Sequence, residues 1–246
     1  MYLLFFYGIS VFADVSDSQK YDFFAIVENL FKFVVDIVWY TTKIKYRDMI
    51  NIVLFGPPGA GKGTQADMLS SKYSFNHIST GEVIRDEIRR GTERGLMVKE
   101  IIESGQLASD ELVISIIEEY MEAHGNCAGN IFDGFPRTTR QAEEFDDILA
   151  KHSQKVDLML SLEVPDEELI ARILLRSQCS GRADDADENV IRNRIDVYKA
   201  QTAVVADHYA ACGKHVAIDG VGSVQEVFGR LCNAIDNMVA NRQQKH

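Results

Sequence analysis

No linear run rich in lysine and arginine occurs in this 246-residue chain, and its formal net charge is −11. Binding to a nucleic-acid backbone depends on neutralising many phosphates with cations, so a nucleic acid is not the expected partner. Cysteine is scarce as well. Cys127, Cys179, Cys212 and Cys232 are too few for a disulfide scaffold in a chain this long, and none falls at the short spacing of a zinc knuckle. Free thiols in a reducing compartment, and with them a cytoplasmic location, are the expectation. Internal repeats and low-complexity tracts are absent. Hydrophobic residues at 46% and charged residues at 26% describe a globular chain able to bury a core.

A convincing membrane span is missing too. Residues 2–13 form an apolar run shorter than the roughly 20 residues a spanning helix needs. The run has no positive leading region of a secretory signal, although Val11 and Ala13 would suit a cleavage site. Residues 23–40 are long enough, but Glu28, Lys32 and Asp36 lie at i, i+4 and i+8 and make one charged stripe. Each charge costs about 2.5–3.5 kcal/mol at a membrane centre, against about 0.3–0.6 gained per large aliphatic or Phe residue. Three charges outweigh the eleven such residues in the run. A helix packed on protein or lying on a surface is expected there.

From Met49 onward the pattern is regular. Short apolar runs at Ile50–Phe55, 77–79, 130–133, Leu158–Glu163 and 216–219 read as strands. Between and after them, 62–73, 81–90, 110–124, 138–152, 166–176, 187–212 and 223–240 read as helices. Strands alternating with helices imply βαβ units, a parallel sheet and an α/β fold with helices on both faces.

Residues 56–64 read Gly-Pro-Pro-Gly-Ala-Gly-Lys-Gly-Thr, between the first of these strands and the first helix. They fit the G-x-x-x-x-G-K core of a phosphate-binding loop. The glycines let successive backbone N–H groups point inward, and the helix start adds partial positive charge. Lys62 can then reach the β- and γ-phosphates. The Ser or Thr that usually follows the lysine is Gly63 here, with Thr64 one place later.

This loop variant resembles that of the nucleoside-monophosphate kinases, and further motifs follow in order. His77-Ile78-Ser79-Thr80-Gly81-Glu82 leads to Arg85, Asp133-Gly134-Phe135-Pro136-Arg137 leads to Gln141, and Ser180-Gly181-Arg182-Ala183-Asp184-Asp185 precedes Arg194. Together they resemble the adenylate kinases from Met49 to about Ala240. The resemblance implies a P-loop kinase with a parallel five-stranded sheet flanked by helices. It also implies a segment of about 79–108 that binds AMP, and a short lid of about 176–186. The implied reaction is phosphoryl transfer from ATP to AMP, giving two ADP.

Phosphoryl transfer asks mainly for positioning and charge stabilisation, and arginine suits this because its fork grips phosphate oxygens and keeps its charge. In the pattern the chain resembles, Gly59, Ala60, Gly61, Lys62, Gly63 and Thr64 hold the ATP phosphates, with Arg172, Arg176 and Gly222 also meeting ATP. Thr80, Arg85, Gln106, Leu107, Ala108, Gly134, Phe135, Pro136, Arg137 and Gln141 form the AMP site. Lys62, Arg137, Arg182 and Arg194 act on the transferring group, and Arg182 and Arg194 belong to the AMP side as well. Asp133 resembles the carboxylate that holds Mg²⁺ through water. His77 reads as a strand residue without chemical duty, and Asp184 and Asp185 as structural partners of arginines.

Departures from the pattern are few. Glu82 stands where Asp is more common, Val204 replaces a common proline, and one extra residue lies between Asp185 and Arg194. The choice of Arg194 over Arg192 therefore rests on residues 195–198. Five residues separate Arg176 from Arg182, too few for a zinc-bearing hairpin, and Cys179 alone cannot supply the four ligands of structural zinc. Mg²⁺ without zinc, a monomer, and ATP, AMP and ADP as partners are expected. A UMP or CMP kinase is the nearest alternative, but its relatives usually carry Ala at the place of Thr80 and Asn at that of Gln141. A non-catalytic adenylate-binding module is the other, against which stand Lys62, Arg137 and Arg182. Residues 1–48 match nothing in the family and are expected to be dispensable, either as an appendage or as an upstream start.

Overall fold

The computed structural model describes residues 2–6, 9–13, 49–123, 127–180, 182–185 and 187–244. By Cα proximity the chain divides between Arg47 and Asp48. In the first unit, β1 (Tyr2–Phe6) and β2 (Ile9–Ala13) pair antiparallel, with Tyr2 opposite Ala13 and Phe6 opposite Ile9. Both described parts of the apolar run over 2–13 are thus strand, and the helix expected over 23–40 lies outside the described residues.

The second unit holds five parallel strands: β3 (Ile50–Phe55), β4 (Asn76–Ser79), β5 (Gly129–Asp133), β6 (Leu158–Glu163) and β7 (His215–Asp219). Their order across the sheet is β4-β5-β3-β6-β7. β3, β5 and β6 are buried almost throughout, as expected of central parallel strands covered on both faces, which read as continuous apolar runs. Side chains alternate between the faces. Val53, Phe55, Phe132 and Met159 point into one core with α4 (Asp110–Ala123), α5 (Thr139–Lys151) and α8 (Val205–Ala211). Ile52, Leu54, Ile131 and Leu160 point into the other, with α1 (Lys62–Tyr73), α6 (Asp166–Ser180), α7 (Glu188–Val197) and α9 (Val224–Gln243). Truncating one of these side chains, as in Leu54→Ala, costs about 2–5 kcal/mol in lost burial and cavity.

Buried polar groups at the opposite end of the sheet are satisfied across strands. Asn130 Nδ2 donates to Asn51 Oδ1 at 2.8 Å, and Asn51 Nδ2 donates to Gln154 Oε1 at 2.9 Å. Such bonds are required once an amide leaves water, and a one-residue slip of β3 against β5 would break them.

The largest departures from the sequence-based boundaries lie around 93–103, 198–202 and 177–180. A helix absent from the sequence reading, α3 (Glu93–Glu103), follows α2 (Thr80–Arg90), and Thr92 caps it by accepting from the Gly95 N–H. Val98 and Ile102 pack on the core, but Leu96, Met97 and Ile101 are exposed, so no clean amphipathic stripe marks it. The helix expected over 187–212 is broken between α7 and α8, where residues Tyr198–Thr202 form a π turn. α6 runs four residues beyond Arg176, to Ser180. Among the described residues no helix is long and apolar enough to cross a membrane.

In an open parallel sheet, ligands gather beyond the carboxyl ends of the strands where the strand order reverses. Here the order reverses at β3, between β5 and β6. The loops leaving β3, β4 and β5 carry the glycine-rich motif, Thr80 and the Asp133–Arg137 stretch, so the topology alone brings three separate motifs to one crevice.

Candidate active site

The crevice is a cavity of about 380 Å³, within the usual range for small-molecule sites of roughly 300–1,000 Å³. Its floor is the turn from β3 to α1. Gly59 sits at φ 83° against α6, where a Cβ would lie 2.8 Å from Ile173 Cγ1 and 2.9 Å from the Leu169 carbonyl oxygen. Only glycine meets both demands. Gly61 precedes α1, and no side chain caps the helix start, which leaves its first N–H groups open to an anion. Lys62 Nζ donates to the carbonyls of Gly56 at 2.8 Å and Pro57 at 3.0 Å. Burial pushes this ammonium down to about 8; Asp133 opposes the shift, while Arg137, Arg194 and Arg176 add to it. Gly63 and Thr64 line the same floor. Ala60 is buried in the core and does not.

The second wall comes from β4, α2 and the end of β5. Thr80 is buried at the start of α2, its hydroxyl 3.5 Å from the Gly134 carbonyl. Arg85 follows one turn later; burial and the neighbouring Arg182 lower its guanidinium to about 10, so it remains cationic at neutral pH. α2 and α3 cross at Gly95, where a Cβ would lie 2.5 Å from the Glu87 carbonyl oxygen. The crossing is held by the buried Glu87, which takes Arg94 Nε at 2.8 Å. Gln106, Leu107 and Ala108 line the loop after α3, and Gly134 and Pro136 the loop after β5. Arg137 Nε donates to the Gly134 carbonyl at 2.6 Å, and burial lowers its pKa while Asp133 opposes. Gln141 lies buried at this end, its Oε1 accepting from the Arg137 backbone N–H at 2.7 Å. Phe135 turns away into the core and meets Phe145 edge-on at 4.9 Å.

The third wall is the region after α6. Asp185 is fully buried and takes both Arg176, through Nε at 2.7 Å and Nη2 at 2.8 Å, and Arg194, through Nη1 at 2.8 Å. Asp184 adds a second carboxylate 2.9 Å from Arg194. Burial works against the charge of Asp185, but the two arginines outweigh it and hold the carboxyl below its usual range. Both arginines, with Arg182, line the cavity. Arg192 lies outside it and pairs with Glu188 at 2.7 Å, so of the two candidates it is Arg194 that meets the cleft. Arg172 lies off the lining as well. It joins Glu168 at 2.8 Å and donates to the Gly220 carbonyl at 3.1 Å, which ties α6 to the loop carrying Gly222. Gly222 also lies off the lining.

The structure adds residues to which sequence reasoning gave no site role. His77 stands in the cavity wall with Nδ1 2.8 Å from Asp67 and Nε2 3.5 Å from Asp133 Oδ2. Burial lowers its pKa, but the two carboxylates win and raise it. Burial likewise opposes the charge of Asp133, yet His77, Lys62 and Arg137 keep its carboxyl below the usual value. Glu82 reaches Arg182 Nη2 at 3.2 Å and Arg85 Nη2 at 3.9 Å, linking α2 to the region after α6. In sequence His77 heads the 77–82 motif as a strand residue without chemical duty and Glu82 is only a departure from the pattern; neither position marks these partners.

Six cations therefore face one cavity over a phosphate-ready helix start. Comparison with known proteins bears on what that cavity serves. The family model described as Adenylate kinase matches residues 54–214. The adenylate kinase of Parabacteroides distasonis is 46% identical over 190 residues, covering 77% of this chain and 100% of the relative. That of Bacteroides thetaiotaomicron is also 46% identical with the same coverage, and that of Flavobacterium psychrophilum is 44% identical, again with the same coverage. With the expected five-stranded parallel sheet in place and these matches over most of the chain, the chain belongs to the adenylate kinase family and is a nucleotide monophosphate kinase.

Proposed function

We propose that this protein transfers the γ-phosphoryl group of ATP to AMP, giving two ADP. The observation that carries the reading is the convergence of Lys62, Arg85, Arg137, Arg176, Arg182 and Arg194 on one cavity, with a phosphate loop at one end and the buried Gln141 at the other. Two polyanions brought together need such a set, because each guanidinium offsets their mutual repulsion and fixes oxygens in line.

The backbone of Gly59–Thr64 holds the ATP phosphates and Lys62 follows the transferred group. Gly222, in the loop that Arg172 ties to α6, meets the adenine of ATP, and Arg172 stands on the ATP side. Arg85 and Arg137 hold the AMP phosphate, while Thr80, Gln141 and the loop of Gln106, Leu107 and Ala108 enclose its base. An oxygen of the AMP phosphate attacks the γ-phosphorus; the new P–O bond forms as the bond to the β-phosphate bridging oxygen breaks, and ADP leaves. The attacking oxygen is already anionic at neutral pH, so no general base is required. Arg176, Arg182 and Arg194 stabilise charge on the group in flight. Their pairing with Asp184, Asp185 and Glu82 fixes where each fork points.

Asp133 fits the Mg²⁺ that accompanies ATP. Mg²⁺ keeps several waters and needs one or two carboxylates beside the substrate phosphates, and Asp133 is a buried carboxylate held in its charged form beside Lys62. Bound there through water, Mg²⁺ would supply electrostatic stabilisation of the phosphate oxygens.

The test is ADP formation from ATP and AMP by the purified full chain. Lys62→Ala and Arg137→Ala should each lower kcat by about 100-fold or more with the fold intact by circular dichroism. Near-normal turnover in either would remove those residues from the mechanism. Faster phosphorylation of CMP or UMP than of AMP by the unmodified protein would overturn the substrate assignment.

A further inference from the structure

Each half of the buried Gln141 carboxamide already has a partner. Oε1 accepts from the Arg137 backbone N–H at 2.7 Å, and Nε2 donates to Asp110 Oδ1 at 2.7 Å. The oxygen and nitrogen of an amide are alike in shape, so chemistry must set which way it faces. A backbone N–H only donates and a carboxylate only accepts, so both partners demand the same orientation.

Asp110 is itself pinned. Thr138 Oγ1 lies 3.1 Å from each Asp110 oxygen, and it accepts from the Gln141 backbone N–H at 3.1 Å. Having accepted there, the hydroxyl directs its one hydrogen to Asp110. Asp110 opens α4 and Thr138 caps α5, so the network is anchored on two helix starts that the fold holds together.

After these bonds the carboxamide retains one N–H and one lone pair. That fixed pair complements a purine edge with an amino group beside a ring-nitrogen acceptor. A 6-oxo purine presents an acceptor where the amino donor stood. To bind it, the Gln141 amide would have to turn over, setting its carbonyl against Asp110 and its NH₂ against the Arg137 N–H.

We infer that Asp110 is a positioning residue for base specificity, locking Gln141 in the orientation that accepts a 6-aminopurine and rejects a 6-oxopurine. The inference rests on the reading of Gln141 as the AMP base contact. A plainer role, in which Asp110 only stabilises the start of α4, makes a different prediction about selectivity, and this separates the two.

The experiment compares kcat/KM for AMP and for IMP, which differs at this edge alone, in the full-length protein and in Asp110→Asn. Asparagine nearly preserves volume but can turn its own amide to donate, so it removes the penalty on a turned-over Gln141. The AMP-to-IMP ratio should fall about tenfold, while the KM for ATP stays within about twofold. Asp110→Glu, which keeps an acceptor-only group, should retain most of the selectivity. Asp110→Ser preserves a helix-start residue that both donates and accepts, so it should lose selectivity as Asn does and guards against a folding failure of the Asn variant. An unchanged ratio in Asn and Ser variants that fold normally, or an equal fall for AMP and IMP, would overturn the proposal and leave the adenine reading standing. If the unmodified protein already uses IMP as well as AMP, both readings fail together.

Discussion

Raising the pH from 7.5 to 9.5 should weaken binding of an ATP analogue about 25-fold, and a single side chain should account for it. In the nucleotide-free cleft, burial brings Lys62 down to about 8, with Arg137, Arg194 and Arg176 contributing. A bound triphosphate favours the ammonium and lifts its pKa well above the range studied, so binding takes up a proton wherever free Lys62 has lost its own. With a free value of about 8, the protonated fraction falls from about three quarters at pH 7.5 to about 3% at pH 9.5. The ratio is about 25, or about 1.9 kcal/mol of binding free energy. Phosphate ionises for the second time near pH 6, so the ligand contributes little over this interval. Calorimetric titration with a non-hydrolysable ATP analogue at half-unit pH steps would measure the profile. Lys62→Met should bind weakly at every pH, near the value of the unmodified protein at pH 9.5, with a flat profile. A flat profile in the unmodified protein, or the same slope in Lys62→Met, would refute the argument. The linked effect on folding has the opposite sense. The unfolded chain, with Lys62 near 10.5, holds more protons than the folded one between pH 8 and 10.5, so this lysine's contribution to stability rises with pH across that window.

Asp185→Asn removes the buried carboxylate shared by Arg176 and Arg194 and should cost about 3 kcal/mol in a urea unfolding series. Because the folded pKa of Asp185 lies below its ordinary 3.8, its contribution is complete above that value and lost as pH falls through the folded one. The variant should therefore be less stable at neutral pH and show a shallower acid limb; an unaltered limb would argue against the assignment. Gly95→Ala should force α2 and α3 apart at the Glu87 backbone, lowering stability by about 1–3 kcal/mol. It should also raise the KM for AMP more than that for ATP, and equal rises would contradict the placing of AMP against α2. A chain beginning at Met49 should retain its melting temperature and kcat. Aggregation or lost activity would make the first 48 residues part of the working unit.

What the linear order determined was what sits close together along the chain. β3, β5 and β6 are buried on both faces, so each reads as a short apolar run. The 56–64 loop is a contiguous set of glycines and a lysine that opens a helix whose start no side chain caps. The arginines were legible as candidates because they lie beside recognisable motifs. α3 was not legible, because Leu96, Met97 and Ile101 face solvent and its Gly95 marks a helix crossing, which looks locally like a break. The π turn at Tyr198–Thr202 interrupts a pattern whose apolar spacing continues through it. The choice of Arg194 over Arg192 rests in sequence on residues 195–198; the packing of α7 against the cleft supplies its physical reason, one side chain meeting Asp184 and Asp185 and the other Glu188. His77 meets Asp133 of β5, Glu82 meets Arg182 beyond α6, and Asp110 meets Thr138 at the start of α5, pairs that lie between 28 and 100 residues apart in the chain. The lowered pKa of Lys62 has the same origin. Local spacing could place an ammonium at the turn, but only the packed cleft could strip its water and surround it with other cations, because desolvation and charge depend on distances in space.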